Sequence, residues 1–226
     1  PDLCSGKAIG AMAITEPEAG SDAAAIKCSA KRDGDSWVIN GSKIFITNGR
    51  RAHAMTLVAK TDRDASHQGI SLFVVDTDTP GFEVRRTLDK LGMRTSDTAE
   101  ISLTDMFVPD EALLGKEGEG FYNISWELQG ERLIGAAGSI AGAKRAFEAA
   151  LEYAKQRETF GKPIGKHQAV RHMLAEMATE VEAAPQRLVH AAAVVALHRP
   201  GPLADDGHAA PGVAERSSSH DGGCTT

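Results

Sequence analysis

The chain carries 226 residues, 42% hydrophobic and 25% charged, with a formal net charge of −6, an ordinary globular composition with apolar mass for one large or two small domains. The acidic balance without a lysine–arginine run argues against a nucleic-acid partner; no apolar stretch reaches membrane-span length, and the first residues lack the charged-then-apolar pattern of a targeting segment. The eight histidines and three cysteines (Cys4, Cys28 and Cys224) fall in no metal-ligand or disulfide spacing, so no metal is expected, and this cysteine usage suits a reducing compartment.

A small apolar run, "AIGAMA", leads into "ITEPEAGSD" at residues 14–22. A proline between two glutamates stops regular structure, Ala-Gly-Ser-Asp then offers an exposed turn, and the segment presents Thr15, Gly20, Ser21 and Asp22 together. A turn needs Gly and Asp but not hydroxyls at both ends. The loop either receives a polar ligand or is a plain strand connection.

From Ile9 to about Val108, short β-rich runs alternate with turn signals. "SWVINGSKIFITNG" holds two runs around Asn40-Gly41 and closes on Asn48-Gly49, a hairpin signature. "MTLVAKT", "GISLFVVDT", "FEVRRT" and "AEISLTDMFVP" continue at spacings that suit a barrel or sandwich.

After Gly120 the period changes. Leu133, Ala136, Ile140, Ala143, Phe147, Ala150 and Ala154 recur in steps of three and four, the stripe of a long helix. Gly135, Gly138 and Gly142 fit there only where another backbone or a flat ligand comes close, since each costs about 1 kcal/mol relative to alanine. A loop around Pro163 leads to a second helix through Val170, Leu174, Met177 and Val181, and the two are half of a bundle with apolar surface left over. Past Ala184 the stripe is expected to stop. "LVHAAAVVALH" is one helical piece in a Pro- and Ala-rich tail that otherwise reads as disordered, with a shifted reading frame as its origin.

"AITEPEAGSD", "VINGSKIFITNG", "KLGMRTSDT", "ERLIGAA" and "KQRETFGKPIGKHQAV" occur in this order. Together they resemble the acyl-CoA dehydrogenase family of flavoenzymes over roughly residues 1–184. The resemblance implies an α+β multidomain fold. Residues 1–118 would form the β-barrel-like middle domain and 119–184 the first helices of the C-terminal bundle; the N-terminal helical domain is absent, and 185–226 form the tail.

It further implies an FAD site. Met12, Ile14, Thr15, Gly20 and Ser21 would line it, with Thr15 bonding the isoalloxazine ring, Gly20 admitting close backbone approach and Ser21 meeting the pyrophosphate or the CoA moiety. Glu18 stands where the family usually has glycine. Phe45, Ile46 and Thr47 would form the second flavin segment, with Phe45 in place of the commoner tryptophan and Thr47 near flavin N5. Arg157, Phe160, His167 and Gln168 would contact FAD held mainly by a neighbouring subunit of a homo-oligomer (dimer or tetramer).

By the same resemblance, the reaction oxidises an acyl-CoA thioester to the trans-2-enoyl form in fatty-acid or branched-chain amino-acid catabolism, and an electron-transfer flavoprotein accepts the electrons. The compartment implied is the bacterial cytoplasm or the mitochondrial matrix. The isovaleryl and long-chain types carry the catalytic base on the first bundle helix, and "ELQGERL" fits that pattern with Glu131 as base. Arg132 and Gln129 would lie by the substrate; many members have aspartate in place of Gln129. Read without the family, Glu131 is a first-turn glutamate favoured by the helix dipole. The rival readings are an acyl-CoA oxidase or nitroalkane oxidase-like flavoenzyme, and a non-catalytic fragment.

Overall fold

The computed structural model describes residues 2–197, which divide into two compact units between Tyr122 and Asn123. The first opens with a single helical turn, α1 (Asp2–Ser5), followed by the strands β1 (Gly10–Ala13), β2 (Ser29–Asp33), β3 (Ser36–Thr47), β4 (Ala54–Lys60), β5 (Ile70–Asp76), β6 (Phe82–Thr87), β7 (Thr98–Pro109) and β8 (Leu113–Leu114). They form one mixed sheet in the order β6-β7-β3-β2-β4-β5-β8, with β1 running parallel to β4 from Gly10↔Ala54 to Ala13↔Leu57. Most other pairings are antiparallel, as short connections require.

Alternation along the strands selects the core. Trp37, Ile39, Leu57, Phe73, Ile101 and Met106 are all buried, with Trp37 and Phe73 edge to face at 5.4 Å. Each such side chain contributes about 1.5–3 kcal/mol by leaving water. The Trp37 indole N–H donates to Asp110 Oδ1 at 2.8 Å, and Arg32 both pairs with Asp110 and lies over the indole at 4.3 Å. The Arg32 hydrogen bond, followed by the indole's, holds the Asp110 carboxyl below its usual range.

Asn40-Gly41 is not a hairpin turn. β3 runs through it unbroken, and the turn between β2 and β3 falls at Gly34. Gly41 is needed because it points inward onto Cys28, where a Cβ would lie 2.8 Å from the Cys28 Cα. The irregularity beside it belongs to β7, where Asp105 sits at φ +45 and exchanges hydrogen bonds with Asn40. Asn48-Gly49 is a turn, but β2 lies between the strands that it joins.

The last residues of the first unit begin α2 (Gly120–Gln156), which continues into the second; β9 (Glu158–Thr159), β10 (Lys162–Pro163) and α3 (Gln168–Leu197) follow. On α2 the stripe is narrower than expected. Leu133, Ile140, Phe147 and Leu151 are half-buried and Ala154 is buried, whereas Ala136, Ala143 and Ala150 are exposed. A Cβ on Gly135, Gly138 or Gly142 would meet no atom of the described residues within 4 Å. Ile134, Tyr153, Met173, Met177 and Val189 stay exposed.

The expected break after Ala184 does not occur. α3 continues through Pro185 to Leu197, and Val170, Leu174, Ala178, Val181, Ala184, Leu188, Ala192 and Val195 form one continuous half-buried row. Pro185 removes a single backbone bond, which apolar spacing on both sides outweighs. The rest of the expected tail, from residue 198, lies outside the described residues.

Candidate functional site

The expected flavin loop leaves β1 at Ala13 and is pinned at its centre. Glu16 and Ala19 exchange backbone hydrogen bonds, and the Glu16 carboxylate turns inward, accepting from the Lys27 N–H at 2.6 Å, the Cys28 N–H at 3.0 Å and Lys43 Nζ at 2.8 Å. Lys43 also donates to the Ile14 carbonyl at 3.0 Å. Around this anchor Met12, Ile14 and Thr15 are half-buried, and Gly20 and Ser21 are exposed. A Cβ on Gly20 would meet nothing within 4 Å, so the chain's own packing does not require glycine there.

The second expected segment is shaped by a bulge. Along β3, Trp37, Ile39, Gly41 and Lys43 alternate inward. The register then shifts between Lys43↔Ile101 and Ile46↔Ala99, leaving one extra residue in β3. Phe45 takes it up at φ +62 and stands out of the sheet, 62% exposed. Thr47 shares the outward face, while Ile46 drops into the core. Ile46 therefore anchors the segment and offers no side chain to a cofactor. Phe45 lines an open cavity of about 590 Å³ with Arg86, Leu88, Lys90 and Thr98.

In the second unit, Thr159 and Lys162 flank a two-residue turn with Phe160 at φ +51 and Gly161 at φ +70, the pattern of a type I′ hairpin. Glycine suits that conformation; phenylalanine does not, and Phe160 is 95% exposed. His167 braces the hairpin from below, with Nε2 3.0 Å from Thr159 Oγ1 and its ring edge-on to Phe160. The Arg157 carbonyl accepts from the Ile164 N–H at 2.7 Å, which fixes its backbone and leaves the guanidinium exposed, as is Gln168 at the start of α3.

On α2, Glu131 and Arg132 are exposed and Gln129 half-buried. Sequence reasoning missed Glu127, one turn before Glu131 on the same face. Its Oε2 is buried without a hydrogen-bond partner. Burial first, then the negative charge of Glu131 and the hydrogen bond to it, push the Glu127 carboxyl above its ordinary range. The buried Glu16–Lys43 pair was also missed, although a lysine at an inward strand position was its signal. Cys28 beside that pair is pushed by burial up to about 11 and stays a thiol.

These residues fit an isoalloxazine ring. Among the described residues the hydroxyls of Thr15, Ser21 and Thr47 have no partner, Phe45 stands outward two residues before Thr47, and the space at Gly20 is open.

Residues 11–106 match the family model described as acyl-CoA dehydrogenase, middle domain, and residues 118–210 the one described as acyl-CoA dehydrogenase, C-terminal domain. The second match runs past Ala184. The mitochondrial long-chain specific acyl-CoA dehydrogenase of Sus scrofa is 44% identical over 183 residues, 80% of this chain and 43% of that protein. The mitochondrial isovaleryl-CoA dehydrogenase of Oryza sativa subsp. japonica is 43% identical over 182 residues, 80% of this chain and 44% of that protein. A crystal structure of a probable acyl-CoA dehydrogenase from Mycobacterium abscessus superposes with a TM-score of 0.83 at 43% identity, covering 88% of this chain and 53% of that one. The chain thus spans less than half the length of these two curated relatives.

Proposed function

The chain belongs to the acyl-CoA dehydrogenase family, and from that premise we propose that it forms part of an FAD-dependent enzyme converting acyl-CoA thioesters to trans-2-enoyl-CoA. The observation that carries this reading is shared by two distant segments. Phe45 and Phe160 both hold a left-handed backbone that costs about 1–3 kcal/mol for a bulky side chain, and both present their rings outward. Among the described residues neither ring is buried, and Phe160 has only the edge of His167 against it; a flat ligand supplies a reason for both.

Thr15 and Thr47 orient the ring system of the cofactor through their free hydroxyls. The Arg157 guanidinium fits a pyrophosphate, because its planar fork makes paired, charge-assisted hydrogen bonds. Phe160, His167 and Gln168 act beside it on FAD shared with a second copy of the enzyme. Bound FAD supplies the two-electron acceptor for the β-hydride. Glu131 takes the α-proton onto its carboxylate, with Gln129 and Arg132 near the thioester. Glu127, whose carboxyl is raised above its ordinary range chiefly by burial, lies one turn before Glu131 on the same face. Fatty or branched acyl groups are the substrate class, as the names of the relatives suggest. An electron-transfer flavoprotein is the acceptor, in a bacterial cytoplasm or a mitochondrial matrix.

The test uses the chain completed with the flanking segments of a relative and loaded with FAD. Without oxygen, a long-chain or isovaleryl CoA thioester should bleach the yellow flavin, and electron-transfer flavoprotein should restore it. A flavin that stays yellow with every acyl-CoA overturns the reading. Rapid oxygen uptake without the acceptor protein moves it to an acyl-CoA oxidase.

A further inference from the structure

The two expected flavin segments are not neighbours in the sheet. β1 pairs with β4, and the bulged end of β3 pairs with β7. The ladder therefore does not set the distance between Thr15 and Phe45. Other bonds do. Lys43 Nζ reaches the Glu16 carboxylate at 2.8 Å and the Ile14 carbonyl at 3.0 Å, and the Ile44 N–H, released from the ladder by the bulge, donates to the Thr15 carbonyl at 2.9 Å. Residues 14–16 are thus fastened to residues 43–44, immediately before Phe45. Both charges are out of water, with side-chain exposures of 0% for Lys43 and 6% for Glu16.

A buried ion pair is a poor source of net stability, because desolvating the two charges offsets most of their attraction. Its strength lies in geometry. An inward methionine would fill the place of Lys43 in the sheet, but it would hold neither Ile14 nor Glu16. We propose that Glu16 and Lys43 are positioning residues, a buried clamp that fixes the Thr15 loop against the bulge of β3 so that Thr15, Phe45 and Thr47 present one preset face to the flavin. This rests on the functional reading above for the identity of the ligand; the clamp itself rests on the bonds.

Lys43→Met removes the cation and both of its bonds, while Glu16 keeps the Lys27 and Cys28 amides and so the start of β2. Two measurements on the 226-residue chain decide the matter. Amide exchange should speed up at Ile44 and Ala19 and stay unchanged at Leu57 and Phe73 in the core. FAD titration by flavin fluorescence should show affinity lowered by at least about tenfold, the effect of losing one charged hydrogen bond. Lys43→Arg, which keeps a cation with donors to spare, should recover part of both, and it carries the comparison with the parent if the methionine variant does not fold. Parent-like exchange at Ile44 together with parent-like FAD affinity in Lys43→Met overturns the proposal. The functional reading is tested separately, in the completed protein; if the parent chain alone binds FAD too weakly to titrate, the exchange at Ile44 and Ala19 decides the clamp.

Discussion

Phe160 is a bulky residue held in a conformation that suits glycine. At φ +51 its backbone is strained, and its ring is 95% exposed. Phe160→Gly should leave the chain at least as stable as the parent in thermal unfolding, because relief of about 1–2 kcal/mol of strain offsets the freedom glycine gains when unfolded. FAD affinity should fall all the same. A loss of stability with unchanged FAD binding would make Phe160 a packing residue. Glu127 makes a second case. Its carboxyl holds its proton above the ordinary glutamate range in the folded chain, chiefly through burial. The unfolded chain releases that proton first as pH rises, so stability should decline from the usual glutamate pKa up to the raised one. Glu127→Gln should remove that decline, as urea unfolding across mildly acidic pH would show; an identical slope in both proteins would contradict it. The family resemblance marks "TEPEAGSD" and "FIT" as candidate sites, but their geometry was not legible in the sequence. Nothing local says that one extra residue in β3 turns Phe45 outward and Ile46 inward, because that depends on the register with β7.

At the scale of the element, strands were read from alternation and the long helices from the three-four period, and both rules held where the apolar pattern was continuous. They failed where one residue type carried two meanings. Asn40-Gly41 looks like a turn, yet Gly41 is there to let Cys28 approach. Gly41→Ala should therefore destabilise the sheet by roughly 1–3 kcal/mol, the usual cost of overpacking, measured by chemical denaturation; a neutral result would show that Cys28 has room to move. Pro185 looks like a stop, yet the half-buried row on α3 runs past it to Val195. Replacing it with alanine restores a donor and removes a ring from the helix. Pro185→Ala should stabilise α3 by roughly 1–3 kcal/mol, seen as added helical circular dichroism at elevated temperature. Lower helicity would mean that the proline is accommodated by design.

The whole chain carries its helices with Ile134, Tyr153, Met173, Met177 and Val189 exposed. Its relatives are more than twice as long as the segment that they share with it. Apolar area of this kind marks a surface that another structure covers. The isolated chain should self-associate with rising concentration in sedimentation velocity and bind FAD weakly; a sharp monomer at all concentrations, saturated with FAD, would contradict this. The central claim is that the chain contributes the proton-abstracting group of an acyl-CoA dehydrogenase. It is tested most directly by Glu131→Gln in the FAD-loaded protein completed with the segments of a relative, mixed anaerobically with acyl-CoA in a stopped-flow spectrometer. Flavin and thioester should still bind, and the rate of flavin bleaching should fall by at least about 10²-fold, the lower range for loss of a positioned general base. Bleaching as fast as in the parent would contradict it and place the base outside this chain.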